Sequence, residues 1–358
     1  MIRRLAGVVL VGLVFGIAGL AAPMLEVDSE VYDFGTILEG YAIEHTFVLT
    51  NAGDETLIID RVRATCGCTT TELPTNELAP GQSVELDAVV GTTGFGGSTI
   101  SKSIYIYSND PRYAVDSTGT GGKLTLYLRG TVIRSEPYHM STEDLKLYSI
   151  LLVDLRDESS FASGHLTGAI NIPVSTLSQV VPSLPTDTVL VLYDETGATA
   201  QTVVEGLIGN GLPFARVLSG GLAGWTQAYD TQFMVPTPAS AAYGSPVATS
   251  AGYSLTPTSL HRVLYVLVDL RDADAFSAGH IAGAINIPYD DFSVPGLSDH
   301  TGEIPMDIEV IFYDQSGAES EIVVQAMIAA GYANAKSLLG GLNEWSRVYG
   351  DDLIWTSE

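Results

Sequence analysis

Val153-Asp154-Leu155-Arg156-Asp157 returns as Val268-Asp269-Leu270-Arg271-Asp272. Downstream of it, Gly164-His165 and Gly168-Ala169-Ile170-Asn171-Ile172-Pro173 return as Gly279-His280 and Gly283-Ala284-Ile285-Asn286-Ile287-Pro288. The first block closes a continuous apolar run, Leu151-Leu152-Val153. A second run, Thr188-Val189-Leu190-Val191-Leu192-Tyr193, follows. Continuous runs of this length bounded by turn residues suit buried parallel strands covered by helices on both faces. The correspondence extends outward. Tyr193-Asp194 with Gly197 returns as Tyr313-Asp314 with Gly317, and Gly220-Gly221-Leu222 with Trp225 returns as Gly340-Gly341-Leu342 with Trp345. Separate blocks recurring in one order mean that a single unit has been duplicated. The spacing between the proline and the later aspartate is longer in the second copy, which places a short insertion in the polar loop Ser298 to Glu303.

Ser141-Thr142-Glu143-Asp144, a hydroxyl cap followed by acids, marks a helix start at the head of the first copy. Between the copies, Val235 to Tyr253 is rich in Pro, Ala, Ser, Thr and Gly and reads as a linker of limited order. Upstream, Glu26 to Arg134 has no helical period. Thr46–Thr50, Leu57–Ile59, Ser83–Val89, Ser103–Tyr107 and Leu124–Leu128 read as short strands, separated by turns at Asn51–Asp54, Pro80-Gly81 and Ser108–Pro111. That spacing predicts a β-sandwich. The chain has 358 residues, more than one hydrophobic core of about 250–300 residues holds, so several domains are expected.

Arg3 and Arg4 precede an uncharged apolar stretch, Leu5 to Leu20, with Gly19 and Ala21 in small-residue positions. This is the pattern of a cleaved export signal ending after Ala21; an uncleaved anchor is the other reading. No cysteine follows the run, which excludes a lipoprotein anchor, and no later segment is apolar enough to span a bilayer. The net charge of −26 argues against binding to nucleic acid or an anionic lipid surface.

The repeated unit resembles the rhodanese family. The matches are Asp154 with Arg156 and Gly164 to Pro173, Asp269 with Arg271 and Gly279 to Pro288, and the closing Gly-Gly-x-x-x-Trp at Gly220, Gly221, Trp225 and Gly340, Gly341, Trp345. The resemblance implies an α/β fold with a parallel sheet, and sulfur transfer through a cysteine that opens the loop after the central strand. Here those loops read Asp194-Glu195-Thr196-Gly197-Ala198-Thr199 and Asp314-Gln315-Ser316-Gly317-Ala318-Glu319. Aspartate stands at the position of the cysteine. A carboxylate cannot carry sulfane sulfur, which needs a thiolate of lowered pKa. The degenerate loop positions Asp194, Gly197, Asp314 and Gly317 are therefore expected to be non-catalytic, and no cofactor is implied. Asp154 with Arg156 and Asp269 with Arg271 read as strand-end ties, His165 and His280 as partners of the turns at Gly168 and Gly283, and Trp225 and Trp345 as core.

The N-terminal region resembles a bacterial immunoglobulin-like family related to PapD-like and cilium-associated sandwiches. The resemblance rests on Phe34-Gly35, His45, Asn51 with Gly53, Cys66-Gly67-Cys68-Thr69, Pro80-Gly81 and Ser108-Asn109-Asp110-Pro111. It implies a binding or assembly module. Cys66 and Cys68 are the only cysteines. They read as a half-buried pair or a small-ring disulfide, then as a redox pair, then as ligands of a soft metal such as Cu(I). No spaced partners complete a zinc site.

The expected architecture is multidomain: a signal peptide over 1–22, an all-β immunoglobulin-like sandwich over 24–135, a first rhodanese-like domain over 140–232, a linker over 233–255 and a second rhodanese-like domain over 256–353. Three functions fit it. They are an exported non-catalytic scaffold for a protein partner, a sulfurtransferase with residual or lost activity, and a thiol-redox or copper-handling protein. Nucleic acid is not an expected partner, the signal segment is the only expected contact with membrane, and a small anion at the rhodanese loops is the one small ligand the fold would take.

Overall fold

The computed structural model describes residues 21–67, 69–113, 122–238, 243–249, 252–289 and 304–356. The signal segment up to Leu20 and the insertion at Ser298 to Glu303 lie outside them. The chain divides into two compact units. One holds the described residues up to Gly35, Ile43–Val90 and Thr99–Gly130; the other holds Thr36–Ala42, Gly91–Ser98 and the chain from Thr131.

The N-terminal region is all-β: β1 (Leu25–Val27), β2 (Val31–Leu38), β3 (Ile43–Asn51), β4 (Leu57–Ala64), β5 (Thr69–Glu72), β6 (Glu77–Leu78), β7 (Ser83–Val90), β8 (Ser98–Ser108) and β9 (Leu124–Ile133). Two sheets form, ordered β1-β3-β7-β5 and β2-β9-β8-β4-β6. The alternation seen in the sequence sets which face is buried. Along β7, Val84, Leu86, Ala88 and Val90 are buried while Ser83, Glu85 and Asp87 face out. Phe47, Leu49, Leu57, Ile104, Ile106, Leu126 and Leu128 complete that core.

Two of the turn motifs prove to be hydrogen-bond knots. The Asn51 amide nitrogen donates to Glu55 O and Leu78 O, and its oxygen accepts the Gly53 amide at 3.0 Å. Asp110, 1% exposed, accepts the Leu25 amide at 2.6 Å and a bidentate pair from Arg112, whose Nη2 also donates to Leu25 O. Together they tie the edge strand β1 to the end of β8.

The second unit carries β10 (His139–Met140), α1 (Thr142–Tyr148), β11 (Ile150–Asp154), α2 (Glu158–Ala162), β12 (His165–Leu166), β13 (Ala169–Asn171), α3 (Leu177–Val180), β14 (Val189–Tyr193), α4 (Ala198–Gly209), β15 (Ala215–Leu218), α5 (Gly221–Tyr229) and β16 (Met234–Val235). The second copy follows with β17 (Ser254–Leu255), α6 (Pro257–His261), β18 (Tyr265–Asp269), α7 (Ala273–Ala278), β19 (His280–Ile281), β20 (Ala284–Asn286), β21 (Glu309–Tyr313), α8 (Ala318–Ala329), β22 (Ala335–Leu338), α9 (Gly341–Tyr349) and β23 (Ile354–Trp355). Ser141 caps α1, accepting the Asp144 amide at 3.0 Å, as its sequence predicts.

The two sheets are not self-contained. Their orders are β13-β11-β14-β15-β17 and β10-β22-β21-β18-β20. Each copy therefore lends its first strand to the other. β10 lies parallel to β22 with His139 opposite Ser337, and β17 lies parallel to β15 with Val217 opposite Ser254. The following helices travel with the strands. Leu145 of α1, 1% exposed, is buried with Leu267, Ile311, Tyr313, Leu338 and Trp345 of the second copy. Leu260 of α6 is buried with Leu152, Val191, Leu218 and Trp225 of the first. Only Ser149 separates α1 from β11. So short a connection leaves little chain for α1 to turn back onto its own sheet, and short hinges favour exchange. At the junction Gly168 and Gly283 face one another; a Cβ on Gly168 would sit 2.8 Å from Gly283 O.

The span 233–255, expected as a linker, includes two short strands among its described residues. Its end is β17, a strand of the first copy's sheet, and its start is β16, which pairs antiparallel with β12. Composition reports the cost of ordering a segment but not which sheet edge stands open to receive it.

Candidate functional site

Each copy ends its central strand, β14 or β21, in a buried tyrosine followed by the aspartate that opens the next loop. Asp194 is 8% exposed and Asp314 2%. Neither points to water. Asp194 Oδ1 accepts the amides of Thr196 and Gly197, each at 2.6 Å, and Oδ2 accepts that of Ala200 at 2.7 Å. Asp314 repeats the pattern with Ser316, Gly317 and Ser320 at 2.6, 2.8 and 2.8 Å, and adds the Ser316 hydroxyl. The loop wraps the start of α4 or α8, so unpaired amides and the helix dipole converge on one point. Such a cradle takes an anion; here the side chain of its own first residue is that anion. Burial works to raise the Asp314 pKa, but the amide bonds from Ser320, Ser316 and Gly317 outweigh it and hold the carboxyl below its ordinary 3.8.

The Gly-Gly turn closes the cradle from behind. The amides of Leu222 and Ala223, at the start of α5, donate to Asp194 O and Glu195 O, and those of Leu342 and Asn343 do the same for Asp314 O and Gln315 O. A Cβ on Gly221, at φ +54, would meet Asp194 O at 2.4 Å, so the motif needs glycine for close approach as well as for its backbone conformation.

Asp154 and Asp269 are fully buried and each receives Nε and Nη2 of the arginine two residues on; Arg156 Nη2 also donates to Gly164 O and Arg271 Nη2 to Gly279 O, both at 2.7 Å. These are strand-end ties, as the sequence implies. Tyr193 and Tyr313, which the sequence reading passed over as strand residues, are fully buried, and each hydroxyl accepts an amide, of Leu166 or of Ile281. Burial and then the nearby Asp154 or Asp269 push both phenols well above their ordinary 10.0. Their signal was their place immediately before the loop aspartate in both copies.

The histidines are placed differently from expectation. His165 Nδ1 lies 3.0 Å from Phe161 O and His280 Nδ1 2.9 Å from Phe276 O. Each therefore ties to the helix four residues back, not to the turn at Gly168 or Gly283. Each ring stacks on that phenylalanine at 3.7 Å, which fixes its direction. Trp225 and Trp345 are fully buried, and their indole N–H groups donate to Gln232 O and Asp352 O.

Apart from this unit, Cys66 is disulfide-bonded and its sulfur lies 3.2 Å from the Thr69 hydroxyl. The other cysteine, Cys68, lies outside the described residues. A disulfide sulfur offers no thiolate to a soft metal. Among the described residues no group of three or more His, Cys, Asp or Glu side chains is arranged to hold a metal ion, and no helix is long and apolar enough to cross a membrane.

Comparison with known proteins follows the same division. A family described as a protein of unknown function (DUF1573) matches residues 25–121. The rhodanese-like domain matches 140–228 and again 257–348. A thiosulfate sulfurtransferase GlpE of Tolumonas auensis is 33% identical over 85 residues, covering 24% of this chain and 80% of that protein. Thiosulfate sulfurtransferase 16, chloroplastic, of Arabidopsis thaliana is 28% identical over 104 residues, covering 26% and 87%. The ASH/PapD-like domain 7 of human CEP192 aligns at 12% identity and a TM-score of 0.26, over 37% of this chain and all of that domain. With two matched copies spanning about half of its length, the chain belongs to the rhodanese-like family, its tandem preceded by a DUF1573 domain.

Proposed function

We propose that this is an exported, non-catalytic binding protein in which the rhodanese-like tandem is a recognition platform. The observation that carries the reading is the occupied cradle. In each copy a buried carboxylate takes three loop amides, at the position where the family resemblance puts a sulfur-carrying cysteine. A carboxylate there holds the loop in shape, cannot accept sulfur, and repels an anionic donor such as thiosulfate. Neither copy contains a cysteine to replace it. The sulfurtransferase relatives bear on fold and ancestry, and their activity does not pass to loops with this chemistry. Export follows from Arg3, Arg4 and the apolar run behind them.

The test is thiocyanate formation from thiosulfate and cyanide by the purified protein. No turnover above the uncatalysed rate is expected; turnover that survives Cys66→Ser with Cys68→Ser would overturn the reading. Cell fractionation tests export, and recovery of a cytoplasmic protein still beginning at Met1 would refute it.

A second reading has one observation in its favour. The Cys66 disulfide, with a hydroxyl at 3.2 Å from its sulfur, would make the N-terminal domain a thiol-redox module, with the repeats as docking modules.

A further inference from the structure

We propose that the cleft between the Asp194–Gly197 loop and the Ser219-Gly220 turn is a binding site for an extended peptide main chain, filled in the resting protein by the chain's own residues 243–249. The segment Tyr243-Gly244-Ser245-Pro246-Val247-Ala248-Thr249 has no strand or helix of its own, yet its backbone bonds to the cleft at Gly244, Val247 and Thr249. The Val247 amide donates to Thr196 O at 2.8 Å, and Val247 O accepts the Gly220 amide at 3.1 Å. One residue thus bridges the two walls of the cleft. The Gly244 amide donates to Glu195 Oε1 at 3.0 Å, and the Thr249 amide to Ser219 Oγ at 3.0 Å. A Cβ on Gly220 would meet Pro246 Cβ at 3.0 Å, so the proline approaches the wall closely where glycine leaves it bare.

The cleft reads main chain at Gly244, Val247 and Thr249, and side chains at the two ends, where Tyr243 packs against the core beside Arg156 and Thr249 Oγ1 donates to Gln201 Oε1 at 3.2 Å. Val247 is 40% exposed although both its backbone groups are bonded, which is the signature of strand-like augmentation. With Arg156 facing the ring of Tyr243, Glu195 sets an electrostatic preference at Gly244. It accepts an N–H and would repel a carboxylate, on a protein whose net charge is already −26. The matching partner is an extended, uncharged or basic segment in which an aromatic residue leads small residues and proline. Proline pre-extends the chain and lowers the ordering cost of binding. The tethered segment competes at an effective concentration in the millimolar range, so a partner is admitted only by displacing it.

The inference deepens the binding reading and is tested apart from it, since sulfurtransferase turnover would refute that reading without bearing on this cleft. The probe is a fluorescent, end-blocked peptide Tyr-Gly-Ser-Pro-Val-Ala-Thr. The protein is the full chain with residues 243–249 replaced by a glycine–serine run of equal length, which keeps the connection to β17. Saturable binding is expected, with affinity at least about tenfold above that for the parent chain, whose site is occupied in cis. A peptide carrying Val247→Pro, which lacks the bridging N–H, is expected not to bind. Absence of saturable binding to a variant that melts as a folded protein overturns the proposal, as does equal binding of the proline peptide. If the replacement does not fold, hydrogen exchange on the parent decides. The Val247 and Gly220 amides are expected to be protected, and exchange of both at free-chain rates overturns it.

Discussion

The amide of Ser320 donates to Asp314 Oδ2 at 2.8 Å, locking the residue just after β21 to the first turn of α8. The same bond joins Ala200 to Asp194 in the first copy at 2.7 Å. In both loops the acid stands where an anionic ligand would otherwise collect the orphan amides. Removing it leaves buried donors without a partner. Asp194→Ala and Asp314→Ala should each cost about 1–3 kcal/mol, and sulfate should then raise the melting temperature of the variants more than that of the parent. Variants that melt like the parent and ignore sulfate would show that the acids do not fill the cradles.

The exchange of β10–α1 for β17–α6 makes the fate of each copy depend on a segment that belongs, in sequence, to the other. Leu145 lies in the first copy but is buried with Trp345 and Ile311 of the second. Leu145→Ala should cost about 2–5 kcal/mol, as for other buried leucines, and hydrogen exchange should loosen β21 and β22 before β14 and β15. Loosening confined to β11 and β14 would mean that α1 packs on its own copy. The tandem should also melt in a single transition, because one core cluster draws on both copies.

Much of this was legible in the sequence. The repeated blocks name their strands because a buried parallel strand must be apolar on both faces, and Val153, Val191, Val268 and Phe312 are all fully buried. The alternation at Ser83–Val90 told which face of a sandwich strand is inside. The carboxylate-filled cradle was legible too, since an acid at a helix start has few better partners than the amides beside it. The exchange was not. Repeats announce that two units are alike but not which copy supplies an edge strand; that depends on connection length, here the lone Ser149 between α1 and β11. Nor was the course of residues 243–249 legible. Between Tyr243, which packs against the core, and Thr249, the contacts that hold them are bonds from the main chain, which the side chains do not announce.

The oxidised state of Cys66 makes a separate claim. Thiol titration of the unreduced, denatured protein should find no free thiol, and titration after reduction should find both of the chain's cysteines. Full reactivity before reduction would remove the disulfide and, with it, the thiol-redox reading in its oxidised form. Reduction should leave the tandem's melting unchanged, because no cysteine occurs after Cys68.

Acid should weaken the fold in two steps of one sign. Burial holds the imidazoles of His165 and His280 below their ordinary 6.5; the bonds to Phe161 O and Phe276 O and the nearby Asp154 and Asp269 oppose that lowering, while Arg156 and Arg271 add to it. His45 and His139 are lowered as well, mainly by burial. In the unfolded chain these groups take up protons near pH 6.5, before the folded protein does. Their contribution is therefore complete above about pH 6.5 and is lost as pH falls through the lower folded values. Asp314 acts in the same direction further down. Its folded pKa lies below 3.8, so the stability from its loop bonds is present above that value and disappears as the carboxyl is finally protonated. Melting temperatures measured from about pH 8 to about pH 3 should fall first near pH 6 and again below about pH 4. His165→Gln with His280→Gln should shrink the upper step, leaving the share of His45 and His139, and Asp314→Ala should shrink the lower one. A fall near pH 6 that His165→Gln with His280→Gln leaves unchanged would contradict the assignment to these imidazoles; Glu143 and Glu309, whose carboxyls burial holds above their ordinary 4.5, act in the opposite direction as they take up protons.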